Sequence, residues 1–138
     1  MKKFLKYTAC LAILLMVVVL FTGCKATGGG WFEDCAGNKC TFGFNAQGTE
    51  TDEGWAFKGQ FQFNDHNGTK IHISKMFLLE VVGPVANFTG WDKKHKCVVN
   101  VTVTDMGEPG AGPGDLILIV HESLGTWGGA VQGNIQVH

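Results

Sequence analysis

Trp55-Ala56-Phe57-Lys58-Gly59-Gln60-Phe61-Gln62-Phe63-Asn64 decides the fold class. Its odd positions are aromatic or glycine and its even positions are mostly polar, the period of two expected of a strand with one face on a core and one in water. Thr41-Phe42-Gly43-Phe44-Asn45, Lys70-Ile71-His72-Ile73-Ser74 and Val99-Asn100-Val101-Thr102-Val103-Thr104 alternate in the same way. So does Gly133-Asn134-Ile135-Gln136-Val137-His138, which keeps the pattern to the last residue and is expected to be a paired strand. Met76-Phe77-Leu78-Leu79-Glu80-Val81-Val82 and Leu116-Ile117-Leu118-Ile119-Val120 are almost wholly apolar, which predicts strands covered on both faces. Trp31 and Trp55 fall in strand patterns and are expected in the core. Clusters of Gly, Asn, Asp and Pro separate the runs, and helix signals are nearly absent. The expectation is an all-β domain of about eight or nine strands, a single antiparallel β-sandwich or small β-barrel.

Upstream of this pattern lie Met1-Lys2-Lys3-Phe4-Leu5-Lys6 and an uncharged, largely apolar stretch from Tyr7 to Cys24. A positive start followed by an apolar run somewhat shorter than the ~20 residues of a spanning helix reads as a helical signal peptide. Phe21-Thr22-Gly23-Cys24 resembles the lipobox of bacterial lipoproteins, with Phe21 where leucine is usual. The resemblance implies a leader over 1–23, lipidation of Cys24 with palmitate-bearing acyl chains, and a domain over 24–138. Its place would be the cell membrane or outer membrane, facing away from the cytoplasm.

All eleven basic residues are lysines; loss of Lys2, Lys3 and Lys6 with the leader leaves eight against twelve carboxylates, a formal charge of −4. A negative domain without arginine argues against nucleic acid as a partner. An exported domain sits where disulfides persist. Cys35-Ala36-Gly37-Asn38-Lys39-Cys40 brackets a turn, so a Cys35–Cys40 bridge is the first expectation. Cys97 is then an odd thiol, unless Cys40 and Cys97 pair across the core. Zinc held by Cys35, Cys40, Cys97 and His95 is a third arrangement of suitable ligand types.

Other residues suggest chemistry more weakly. Asp105, Glu108 and Asp115 flank glycines and prolines that expose carbonyl oxygens, a composition that suits calcium, although a solvated hairpin loop also explains it. Asp65 before His66-Asn67-Gly68 reads as a turn with side-chain hydrogen bonds, or as a carboxylate orienting a histidine. Ser74 and Ser123 lack the Gly-x-Ser-x-Gly setting of a hydrolase nucleophile, and His121 and His138 have no partner that can be named from sequence. Trp91 and Trp127 lie in Gly-rich segments, where they read either as an exposed platform for a sugar ring or a protein or as covers over the ends of the barrel or sandwich.

Gly28-Gly29-Gly30-Trp31, Lys39-Cys40-Thr41-Phe42-Gly43-Phe44-Asn45, Phe63-Asn64-Asp65-His66, Val101-Thr102-Val103-Thr104-Asp105-Met106-Gly107-Glu108-Pro109-Gly110 and the terminal 133–138 stretch resemble the post-COAP bacterial surface domain. The resemblance implies a β-domain of surface-attached proteins and no assigned activity. Gly29-Gly30-Trp31 also satisfies the Gly-x-Trp that opens lipocalin barrels, but the arginine that packs on that tryptophan is missing. The functional expectation is a tethered binding or scaffold domain, with the membrane as one partner and a cell-wall glycan or surface protein as the other. A calcium-stabilised carbohydrate-binding module and a secreted hydrolase are the alternatives.

Overall fold

A computed structural model describes residues 23–107 and 114–138, so residues 1–22 of the expected leader and Glu108 lie outside the described residues. Nine strands follow in order: β1 (Gly23–Glu33), β2 (Lys39–Thr51), β3 (Gly54–Asn64), β4 (Lys70–Val82), β5 (Val85–Asp92), β6 (Cys97–Thr104), β7 (Leu116–His121), β8 (Gly125–Ala130) and β9 (Gln132–Val137). There is no helix among the described residues. All pairings are antiparallel, in the sheet order β8-β7-β6-β5-β4-β3-β2-β1-β9.

The choice between sandwich and barrel is settled at the last two strands. Only Val131 separates β8 from β9, and the two run in the same direction as one bent strand. Its first half pairs with β7 and its second half with β1, so both edges of the sheet meet on a single segment and the sheet is a nearly closed barrel. The seam is tight. Val131 N donates to the Asp115 carbonyl at 2.7 Å, and a Cβ on Gly129 would lie 3.0 Å from the Glu33 carbonyl oxygen.

Beyond the bend, the N–H groups of β9 that face away from β1 lack a strand to receive them. Two carboxylates substitute. Asp115 Oδ2 accepts Ile135 N at 2.7 Å and Asp105 Oδ2 accepts Val137 N at 3.3 Å. The remaining oxygens accept Met106 N at 2.8 Å and Gly107 N at 3.0 Å. All four oxygens of the two aspartates put forward for calcium are thus spent on backbone donors.

Inside, alternation works as the sequence implies. Phe42, Phe44, Phe61, Phe63, Ile71, Ile73, Phe88, Val99, Val101, Val103, Ile117, Ile119 and Ile135 form one continuous core. Its aromatic rings pack with centroids 5.2 Å apart for Phe44 and Phe88 and 5.9 Å apart for Phe61 and Phe88, within the range of favourable edge and offset contacts.

Four expectations are corrected. β7 is buried on one face only: Leu116, Leu118 and Val120 are 45%, 45% and 40% exposed, because a single-layered barrel has no second sheet outside it. β4 exposes Phe77, Leu78 and Val82 for the same reason, and its register shifts between Met76 and Leu78. Trp31 lies outward with the Lys39 ammonium 4.7 Å from its ring, while its neighbour Phe32 is buried. Trp55 has core parity yet is 51% exposed, because β3 pairs with β4 only as far as Phe61 and the β2–β3 hairpin overshoots the barrel.

A candidate functional site at the far end of the barrel

Up-and-down winding sorts the connections between two ends. The turns 34–38, 65–69, 93–96 and 122–124 share the far end; Cys24, the turns 52–53 and 83–84, Asp105, Asp115 and His138 share the near end. Three far-end turns begin with an aspartate that folds back on the backbone. Asp34 Oδ1 accepts Ala36 N and Asn38 N at 2.9 and 2.8 Å, and Asp65 Oδ1 accepts Asn67 N and Thr69 N at 2.8 and 2.9 Å. The turn reading of Asp65 is therefore correct, and His66 points away to Thr41 Oγ1 at 3.0 Å.

Asp92 makes the third such turn through Oδ1, which accepts Lys94 N at 3.1 Å and His95 N at 3.4 Å. Unlike the other two it is wholly buried, and its second oxygen is held by two imidazoles. Oδ2 accepts His95 Nδ1–H at 2.5 Å and His121 Nε2–H at 3.0 Å. Burial alone would raise this carboxyl, but the hydrogen bonds from His121 and then His95 outweigh it and hold Asp92 below the usual carboxylate range.

Strand register brings these residues together. Asp92 opposes Cys97 directly and His121 opposes Val99, all at inward positions in the last layer of the barrel. The sulfur of Cys97 lies 3.2 Å from His121 Nε2 and 3.4 Å from Nδ1, and accepts the Ser123 hydroxyl at 3.4 Å. The β7–β8 turn fixes the His121 tautomer. Its Nδ1 accepts Leu124 N at 3.0 Å and Ser123 N at 3.2 Å, so the ring proton is on Nε2, aimed at Asp92. No lone pair is left on this ring to take a proton from Ser123 or Cys97, as a Ser-His-Asp or Cys-His-Asp triad would require. Ser74, the other candidate nucleophile, stands outside on β4, away from the interior cluster.

The outer surface beside this end is concave. A cleft of about 1060 Å³ runs over β2, β3 and β4 to the 93–96 turn. Its walls include Gln62, Asn64, Lys70, His72, Lys93 and Lys94, and the one carboxylate among its lining residues is the buried Asp92.

The remaining expectations sort as follows. Cys35 and Cys40 are not joined: Cys35 is exposed in the turn, whereas Cys40 faces the core opposite Phe32, so their side chains diverge. A Cys40–Cys97 bridge is also absent, all four described cysteines being free. Burial, with Asp34 and Asp65 adding to it, pushes the Cys40 thiol up to about 11, which disfavours the thiolate that metal ligation needs. Of the four residues put forward for zinc, His95 and Cys97 come to one place, with Asp92 and His121 as their neighbours. Trp127 turns inward, its ring centroid 5.0 Å from that of Phe63, so it packs on the core; Trp91 is on the outer face across from Lys75. Sequence reading missed Asp92 and left His121 without a partner. The signal was present, since both sit at core parity at the end of an otherwise apolar strand face.

No family model, curated protein or solved structure matches this chain.

Proposed function

We propose that the chain is an extracytoplasmic lipoprotein domain, anchored through Cys24, that presents the far end of its barrel to a cell-envelope glycan. The observation that supports this reading most is topological: Cys24 is the second residue of the first strand, at the near end, and the cleft opens toward the opposite end. An anchor at one end of a rigid barrel holds the other end away from the bilayer. Cys24 is half-buried, with its sulfur in the space left by Gly48 beside Phe57, so a thioether-linked lipid would leave from the rim.

Amide and hydroxyl groups such as those of Gln62, Asn64 and Thr41 are natural partners for sugar hydroxyls, and Trp91 offers an aromatic face nearby in the chain. Lys70, Lys93 and Lys94 favour an acidic polymer over a neutral one. The resemblance to the post-COAP surface domain points in the same direction. Two measurements test the reading. Cys24→Ala should abolish lipid incorporation and release the processed protein from membranes. Wild type should co-sediment with anionic cell-wall polymer, and the triple change of Lys70, Lys93 and Lys94 to Glu should abolish this. A triple variant that pellets as well as wild type would remove the cleft from the proposal, and a Cys24→Ala protein still membrane-bound after loss of its leader would remove the anchor.

A further inference from the structure

We propose that Asp92, His95 and Cys97 bind a zinc-class divalent metal ion, with His121 behind Asp92 as the group that orients it. The inference does not depend on the anchor or the glycan. It begins from the comparison of the three far-end turns. Asp34 and Asp65 show that an aspartate alone builds this turn, so the turn explains Oδ1 of Asp92 but not what surrounds Oδ2. There, two imidazoles and a thiol replace the apolar side chains that fill every deeper layer of the barrel.

The donor set is of the right chemistry: one carboxylate oxygen, one imidazole nitrogen and one sulfur suit a borderline ion of the zinc class better than calcium or magnesium. A carboxylate oxygen of Asp92 and one ring nitrogen each of His95 and His121 lie within 4.8 Å of one another; Cys97, the cross-strand partner of Asp92, stands beside this group, its sulfur 3.2 Å from His121 Nε2, which is itself 3.0 Å from Asp92 Oδ2. The tautomer sorts ligands from supports. A ligating nitrogen must offer its lone pair, and its other ring nitrogen usually donates to an acceptor. His121 has the reverse arrangement, with two backbone N–H groups facing Nδ1 and the proton on Nε2. It therefore acts as a positioning residue whose N–H steadies the ligating carboxylate.

The three ligands fall within six residues, Asp92-Lys93-Lys94-His95-Lys96-Cys97, on one hairpin. His95 has 24% of its side chain exposed, giving an entry path and leaving a fourth position open to solvent. On binding, the Cys97 thiol gives its proton to solvent and the proton of His95 moves from Nδ1 to Nε2. The carboxylate and thiolate then neutralise the ion's two charges inside the barrel end. The exposed Lys93, Lys94 and Lys96 oppose a free cation's approach, so uptake should quicken as salt screens them.

Cobalt(II) titration of the purified full-length protein under reducing conditions is the test. The expected result is uptake of one equivalent with a thiolate-to-cobalt charge-transfer band and a rise in melting temperature with zinc. Cys97→Ser, folded as judged by its melt without metal, should lose the band; His95→Ala should weaken binding at least ten-fold. Cys35→Ser should leave both readouts unchanged. His121→Ala should weaken affinity by about 10–100-fold while keeping the band, as expected of an outer-shell group. Absence of the band in wild type, or its loss in Cys35→Ser, would overturn the site. Loss of the band in a folded His121→Ala protein would overturn the division between ligands and support.

Discussion

Asp65 shows how one side chain couples the fold to pH. Burial pushes its carboxyl up, and the N–H groups of Asn67 and Thr69 more than offset this, so its pKa is lowered in the folded protein. A group whose pKa is depressed on folding stabilises the native state above its unfolded value, about 3.9 for aspartate. That contribution is lost as pH falls through the lower, folded value. Asp65→Asn keeps an oxygen acceptor for the turn and removes the titration. Wild type should melt above Asp65→Asn at neutral pH, and the gap should shrink from about pH 4 downward. Thermal melts of both proteins at neutral and acid pH check this; a gap independent of pH would mean that the charge of Asp65 plays no part.

Among the elements, β9 has the most at stake. It buries Ile135 completely, pairs with β1, and is held on its other side by Asp115 and Asp105. Removing residues 134–138 exposes the core face of β1. Losing a fully buried aliphatic side chain costs ~1.5–3 kcal/mol before ladder hydrogen bonds, out of a total stability of ~5–15 kcal/mol. A chain ending at Gly133 should unfold or precipitate. Asp115→Ala should cost about 1–3 kcal/mol for each N–H left without an acceptor. By contrast, His138→Ala should change little: the side chain is exposed, and the backbone bonds to Lys25 at 2.8 and 3.2 Å do not need it. Denaturant melts of the three variants give the ranking, and a truncated chain as stable as wild type would show that β9 is peripheral. The terminal strand was legible because its alternation is local. The roles of Asp105 and Asp115 were not, since they follow from a bend at Val131, distant from both in the chain, that leaves β9 without a second neighbour.

At the scale of the whole molecule, the barrel sets the accessibility of each thiol. Cys35 is exposed in its turn, whereas Cys40 and Cys97 face the interior. In the native protein a thiol reagent should modify Cys35 rapidly, and Cys40 and Cys97 only on unfolding; mass spectrometry of digests locates the label. Rapid labelling of Cys97 in the native state would show that the far end admits groups larger than a metal ion. Residue pattern alone established the all-β class, the central parts of β2, β3, β4, β6, β7 and β9, and which face of most of these turns inward, because a period of two is a property of consecutive residues; β5 and β8, interrupted by glycines, were not legible in it. Closure of the sheet, exposure of Trp55 and of the outer face of β7, separation of Cys35 from Cys40, and the meeting of Asp92, His95, Cys97 and His121 were decided only by tertiary structure. Each depends on which strand lies beside which, and on how far each hairpin reaches past its neighbour. Those are relations between segments distant in the chain, and no local pattern of residues encodes them.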